Sequence, residues 1–357
     1  MKSLHMIGSK TMGGAERSFS RIASSLALAG QDVAIAIRAG SQLADRKPLG
    51  VTQFELPFRT VWDPWSRGSI SRLIRQLQPD IVQTYMGRAT RLTHIPIGKG
   101  AVHVARLCGN YKPEYFHHAH AWIACTKWVA DYLLKSGVPL NRLEIIPNFL
   151  PPLAMATAIE LRDARERWGL AEDDLVVGAI GRLERIKGFD VLLRAFARLP
   201  ATLDGRALKL VLAGEGSERQ GLKKLGEDLN IGQRVKMVGW TDRPDIAIRL
   251  SDVIAFTSHP NEGFGNVTLE AWAAEKPLVT TRSKGASEVT THLKNAWQTD
   301  CGNDRLLAEG LQTVLCNRDL RTALVLGGRQ TLNESYSEDA VVHRFIRLYE
   351  RLTTTSS

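Results

Sequence analysis

Short β-rich runs alternate with amphipathic helical stretches through most of the chain, and this rhythm limits the fold more than any other feature. Strands separated by a helix do not close as hairpins. They pair in parallel, each helix serving as a crossover on the sheet. Strands are expected at 3–7, 32–37, 80–83, 102–106, 122–125 and 143–146. Helices are expected at 15–29, 69–77 and 127–136. In the first of these Phe19, Ile22, Ala23, Leu26 and Ala27 share one stripe, and Gly30 sits past the end. Pro147-Asn148-Phe149-Leu150-Pro151-Pro152 then breaks the pattern and reads as an inter-domain linker. After a helix at 159–168 the alternation restarts, with strands at 175–180, 208–213, 235–238, 253–257 and 277–280. Helices follow at 189–199, 218–229, 245–250 and 268–274, and residues 304–352 read as helical throughout. The expected class is α/β: two Rossmann-like, doubly wound parallel-sheet domains facing each other across a cleft.

Lys plus Arg number 47 against 37 Asp plus Glu, a net charge of +10. That surplus suits an anionic partner, or no more than a basic surface. No run approaches the roughly 18–20 apolar residues that span a bilayer. The opening residues read as a strand rather than a signal peptide. Cys108, Cys125, Cys301 and Cys316 have neither C-x-x-C nor zinc-finger spacing, so a cytoplasmic chain with reduced thiols and no structural metal is expected.

In open parallel sheets ligands bind outside the carboxyl ends of the strands, so the loops leaving those ends are the candidates for chemistry. The first is residues 8–17, where Gly13-Gly14 removes side chains ahead of a helix start. It is neither a P-loop nor a dinucleotide fingerprint, and a plain tight turn fits it equally well. The second is residues 181–190, where a glycine turn carries Arg182 and Lys187 to the mouth of the sheet. Two fixed cations there could neutralise a diphosphate and the charge growing on it as a leaving group, the alternative being a solvated basic loop. The third and strongest is Glu262-Gly263-Phe264-Gly265-Asn266-Val267-Thr268-Leu269-Glu270. Asn266 is its expected helix cap, the amides at the helix start suit phosphate, Glu270 lies one turn in to meet ribose hydroxyls, and Glu262 faces a sugar. Gly214-Glu215-Gly216 could bring backbone to a ligand, Trp240 could meet a base, and Gly285 and Glu288 could line the same site.

In this order, the three motifs resemble the retaining glycosyltransferases of family 4, which have the GT-B fold. Their E-x7-E element looks like Glu262 through Glu270, their Arg and Lys match Arg182 and Lys187, and their N-terminal glycine pair matches Gly13-Gly14. The resemblance spans nearly the whole chain. It implies an acceptor-binding domain at 1–149, with a last helix at 341–357 packing back onto it, and a donor-binding domain at 150–340. It also implies a nucleotide-diphosphate sugar as co-substrate, no metal or other cofactor, and front-face substitution with retention. Arg182 and Lys187 would act on the diphosphate and Glu262 would hold the transferred sugar, these three forming the catalytic set. Gly13, Gly14, Gly214, Glu215, Trp240, Gly263, Phe264, Gly265, Asn266, Val267, Thr268 and Glu270 form the expected donor-binding set. Many relatives place a His before a glycine after a first-domain strand; here Cys108 precedes Gly109 and Asn110, which puts that role in doubt. His117, His118 and His120 read as a wet helix face rather than a metal cluster.

Arg59, Trp62, Trp65, Arg67, Arg72 and Arg75 interleave bases and tryptophans, with Arg88 and Arg91 nearby. Such a mixture suits an anionic bilayer interface and a lipid-borne or phosphorylated acceptor, such as a lipopolysaccharide core. The other reading makes the tryptophans core and the arginines solvated. Arg88, Cys108, Gly109 and Asn110 are the expected acceptor-side residues, and no nucleic-acid partner is expected. A sugar-nucleotide epimerase on the same fold and a catalytically silent nucleotide-sugar-binding protein are the rival functions.

Overall fold

The computed structural model describes residues 1–98, 100–150 and 155–354. The chain forms two compact units, Met1–Pro151 with Ser337–Ser357, and Pro152–Tyr336. In the first, β1 (Lys2–Ile7), α1 (Gly14–Leu28), β2 (Asp32–Arg38), β3 (Thr52–Leu56), α2 (Pro64–Leu77) and β4 (Ile81–Tyr85) are followed by α3 (Met86–Leu92), β5 (Val102–Leu107), β6 (Ala121–Ala124), α4 (Lys127–Lys135) and β7 (Leu143–Ile145). Every neighbouring pair is parallel, in the order β3-β2-β1-β4-β5-β6-β7. The order reverses between β1 and β4, the position at whose carboxyl edge ligands bind in sheets of this kind.

The second unit repeats the plan. It contains α5 (Ala158–Trp168), β8 (Leu175–Ile180), α6 (Phe189–Ala197), β9 (Thr202–Leu203), β10 (Arg206–Ala213), α7 (Arg219–Asp228), β11 (Val235–Gly239), α8 (Pro244–Leu250) and β12 (Val253–Phe256). These lead into α9 (Asn266–Ala273), β13 (Leu278–Thr281), α10 (Lys284–Val289), β14 (Trp297–Thr299), α11 (Asp304–Cys316) and α12 (Arg318–Ser335). The parallel order is β11-β10-β8-β12-β13-β14, with the short β9 antiparallel on β10. Its reversal falls between β8 and β12. Both sheets are those of doubly wound α/β proteins.

Strand β3 was absent from the expected set: Thr52-Gln53-Phe54-Glu55-Leu56 is a short, polar edge strand, and edges carry little hydrophobic signal. Helices α3 and α10 and strands β9 and β14 were also absent from the expected set. The helical tail is three helices rather than one run. Asn317 breaks it by leaving helical geometry and accepting a bond from the Leu320 amide as the cap of α12. The last helix, α13 (Glu338–Thr354), starts three residues ahead of the expected 341, and 355–357 lie outside the described residues. So do Pro151 and Pro152 of the expected linker.

Helix α13 belongs to the first unit for a physical reason. Val341, Val342, Phe345, Leu348 and Tyr349 line one face and pack with Ile7, Phe19, Ile22, Leu26 and Tyr85. Each such burial is worth roughly 1.5–3 kcal/mol. The fully buried Tyr349 hydroxyl donates to Gln83 Oε1 at 2.6 Å, and Gln83 Nε2 donates to Tyr85 at 2.6 Å.

Candidate active site

Of the sequence-predicted residues of the second unit, Lys187 and Glu262 meet at the carboxyl edge, where the loops after β8 and β12 join. Leaving β8, residues 181–188 form a tight loop that ends at Gly188, whose φ of 62° is left-handed. A Cβ there would lie 2.2 Å from the Thr257 carbonyl oxygen, so glycine is required both by the dihedral and by the approach of the next loop. Thr257 Oγ1 donates to the Lys187 carbonyl at 3.0 Å, and the His259 amide donates to the Ile186 carbonyl at 2.8 Å. The loops after β8 and β12 are thus one hydrogen-bonded assembly.

Lys187 and Glu262 close it. Their side chains meet at 2.8 Å while retaining only 19% and 15% exposure, and Ser258 Oγ donates to the same carboxylate oxygen at 3.3 Å. The sequence assigned these two residues to different parts of a ligand; the fold holds them against one another. Arg182, by contrast, is half-exposed and pairs with Glu184 at 2.8 Å. The Glu262–Gly265 segment rests on α10, whose Gly285 amide donates to the Glu262 carbonyl at 3.2 Å. A Cβ on Gly285 would stand 1.4 Å from the Gly263 oxygen.

One detail differs from expectation. Asn266 is not the cap of α9: the cap position is Gly265, left-handed at φ 74°, and no side chain bonds there. The Phe264 ring is buried against Tyr336, which leaves its backbone as the part expected to meet a ligand. Gly214 and Gly216 serve loop packing, since Cβ atoms there would lie 1.8 Å from the Gly181 oxygen and 2.3 Å from the Leu183 oxygen. Glu215 pairs with Arg219 at 2.7 Å, and Trp240, following β11, is 41% exposed. Glu270 is buried one turn into α9. Sequence reasoning missed Ser258 and Ser283. The Ser283 hydroxyl and the Thr268 hydroxyl are buried without a hydrogen-bond partner, a deficit that a polar ligand or water would relieve. No spacing rule points to isolated serines.

Gly13, Gly14, Arg88, Cys108, Gly109 and Asn110 lie in the first unit, at the carboxyl ends of β1, β4 and β5. Gly13 precedes α1 in extended geometry without a side-chain cap bond, and Gly14 is the helix's first residue. Arg88 donates to the Gly8 carbonyl at 2.9 Å, bridging the loops after β1 and β4. Burial and the neighbouring Arg38 charge hold its pKa below the usual arginine value. Met86, where β4 ends, has a positive φ of 62°, a strained conformation for a side chain of that kind. Cys108 is half-buried and Cys125 buried, at neighbouring strand ends. A hydrogen bond from Cys125 and the Arg106 charge lower the Cys108 pKa, whereas burial raises that of Cys125. His117, His118 and His120 are not on a helix face. They sit in a turn, bonded to the carbonyls of Ser136, Thr90 and Ile95.

Two doubly wound sheets, each with ligand-ready loops at its reversal point, define a Rossmann-type α/β protein with a charged site on the second sheet. Family models narrow this. Residues 12–152 match Glycosyltransferase Family 4 and residues 161–331 match Glycosyl transferases group 1. The chain is 31% identical over 363 residues, covering 98% of each protein, to the lipopolysaccharide core biosynthesis glycosyltransferase LpsD of Rhizobium meliloti (strain 1021). It is 29% identical over 350 residues to LpsE of the same strain, covering 94% of this chain and 95% of that protein. In structure it resembles Anabaena Alr3699/HepE in complex with UDP and glucose, with TM-score 0.82 and 20% identity over 98% of this chain and all of that one. The chain belongs to glycosyltransferase family 4, is a glycosyltransferase, and has the GT-B fold.

Proposed function

We propose that the protein transfers a sugar, with retention of anomeric configuration, from a nucleotide-diphosphate sugar to a growing lipopolysaccharide core or similar envelope glycan. The relatives LpsD and LpsE, named for lipopolysaccharide core biosynthesis, support the acceptor class. The observation that carries the donor reading is the half-buried Lys187–Glu262 pair at the reversal point of the second sheet. A cation and a carboxylate held 2.8 Å apart suit a ligand whose diphosphate and sugar hydroxyls are joined at one atom.

Lys187 and Arg182 would stabilise charge on the departing phosphate, Glu262 would accept hydrogen bonds from the transferred sugar, and Glu270 would bind the ribose. The bond from the anomeric carbon to the phosphate oxygen breaks as the acceptor oxygen bonds to the same face of that carbon. The hydroxyl proton passes to the leaving phosphate. Orientation and charge stabilisation then supply the catalysis, without a metal. The first unit would take the acceptor near Arg88, Cys108, Gly109 and Asn110. Its exposed Trp62 and Trp65 beside Arg59, Arg72 and Arg75 support peripheral contact with the anionic cytoplasmic face of the inner membrane.

Thermal-shift screening over UDP-, GDP- and ADP-sugars tests the donor, since a bound ligand raises the unfolding temperature by mass action. The hit is then incubated, radiolabelled and with chelator present, with an extracted lipopolysaccharide-precursor fraction. Label in that fraction with the donor's anomeric configuration supports the reading. Label only in an isomerised nucleotide sugar, or a requirement for added metal, overturns it.

A further inference from the structure

Outside the sites described above, two arginines of the first unit converge on one imidazole. Arg67, in the first turn of α2, brings Nη2 to 2.9 Å from His94 Nε2, and Arg91, at the end of α3, brings Nη1 to 3.5 Å from the same nitrogen. Among the described residues no carboxylate lies within ion-pair distance of either guanidinium. The nearby Asp63 is occupied in capping α2, accepting from the Trp65 and Ser66 amides and from Ser66 Oγ. The Nε–H of Arg67 and the Nε–H of Arg91 are both buried without a hydrogen-bond partner. The exposed Trp62 indole covers Arg91, with the guanidinium carbon 4.4 Å from the ring centroid. His94 stacks on His118 at 4.0 Å.

This arrangement costs stability on its own account. Two like charges crowd one imidazole nitrogen, which also lies 3.1 Å from the Arg91 carbonyl oxygen, and two buried donors go unused. An arriving tetrahedral dianion would remove both penalties, because planar guanidinium groups offer paired N–H donors that match phosphate oxygens. We propose that Arg67, Arg91 and His94 form a phosphate-binding site for a phosphomonoester, with Trp62 as its wall. Arg91 lies one helical turn beyond Arg88, so the site is close to the carboxyl edge of the first sheet, on the acceptor side. Its assignment to a phosphorylated acceptor rests on the transfer reading above; the binding does not.

The test uses the full-length protein with two sources of the group: soluble glycerol 3-phosphate by calorimetry, and phosphatidate in phosphatidylcholine vesicles by co-sedimentation. Arg67→Gln with Arg91→Gln is compared with Lys135→Gln with Arg142→Gln, which removes the same charge from exposed positions elsewhere on the first unit. Loss of charge-assisted bonds should weaken binding of at least one probe by about tenfold or more in the first pair and by less than about twofold in the second. Binding of both probes points to the phosphate alone as the ligand, and binding of vesicles only to a lipid headgroup; either supports the site provided the first pair abolishes it. Equal loss in both pairs, or wild-type binding by the first, overturns the proposal. The unfolding temperature of the first pair should not fall, since a repulsion is relieved. Its nucleotide-sugar thermal shift should persist, so that failure of this site is distinguishable from failure of the donor assignment.

Discussion

Replacing Lys187 separates a structural from a chemical role for the Lys187–Glu262 pair. At 2.8 Å and an effective dielectric of about 20, the two charges attract by about 6 kcal/mol, much of which offsets the cost of holding both groups largely out of water. Lys187→Met leaves the Glu262 carboxylate with Ser258 Oγ, 3.3 Å away, as its remaining side-chain partner among the described residues. Breaking a buried pair this way costs about 3–5 kcal/mol, and the residual exposure here places the loss near the lower figure. Lys187→Met with Glu262→Met removes both charges and should restore most of that stability, because a well-packed apolar pair is nearly neutral in exchange for an ionic one. Transfer should not return. Losing the cation beside a leaving phosphate should lower turnover at least about tenfold, on the order of 1.4 kcal/mol of barrier. Urea unfolding and initial rates with radiolabelled donor supply the two measurements. If activity recovers in step with stability in the double variant, Lys187 serves only to neutralise Glu262 and the diphosphate role is refuted.

Other outcomes are equally direct. Gly188→Ala should lose at least about 1–2 kcal/mol from the left-handed dihedral alone and weaken donor binding by pushing the Thr257 carbonyl away; an unchanged thermal midpoint would contradict the close approach. Tyr349→Phe leaves the buried Gln83 Oε1 without its donor and should cost about 1–3 kcal/mol, read as a lower urea midpoint by a probe in the first unit. Burial lowers the pKa of His5 to about 3 and, with His118 and Arg67, that of His94 to about 4, while His103 is likewise held neutral. The unfolded chain therefore binds protons first, so this stability is complete above the unfolded value of about 6.5 and is lost as pH falls toward the folded values. Thermal midpoints of the first unit taken at about pH 7.5 and about pH 5 should show the drop, and equal midpoints would refute it. Alkylation by iodoacetamide, mapped by mass spectrometry, should reach Cys108 well before Cys125, because the hydrogen bond from Cys125 and the Arg106 charge favour the Cys108 thiolate.

The alternation of strands and helices was readable because its cause is local: β-branched runs and helical stripes are carried by contiguous residues. Strand β8 falls at Leu175–Ile180 as its unbroken apolar run predicts. Elements with weak local signal were hidden, among them the polar edge strand β3 and the seven-residue α3, which opens on a left-handed Met86 that no propensity anticipates. In the candidate site, Arg182, Lys187, Glu262 and Glu270 were visible as residue types beside glycines at strand ends. That Lys187 would meet Glu262, 75 positions away, was not visible.

Sequence alone determined the periodicities, the glycines that permit tight loops, and the stock of charges at strand ends, since each depends on neighbours in the chain. Tertiary structure decided which glycines make room for another loop, as Gly214 does for Gly181, and which cation finds a carboxylate. It also left Arg67 and Arg91 with a shared histidine and, among the described residues, no acid. Those outcomes depend on distances between segments far apart in sequence, which exist only once both sheets have set their strand order.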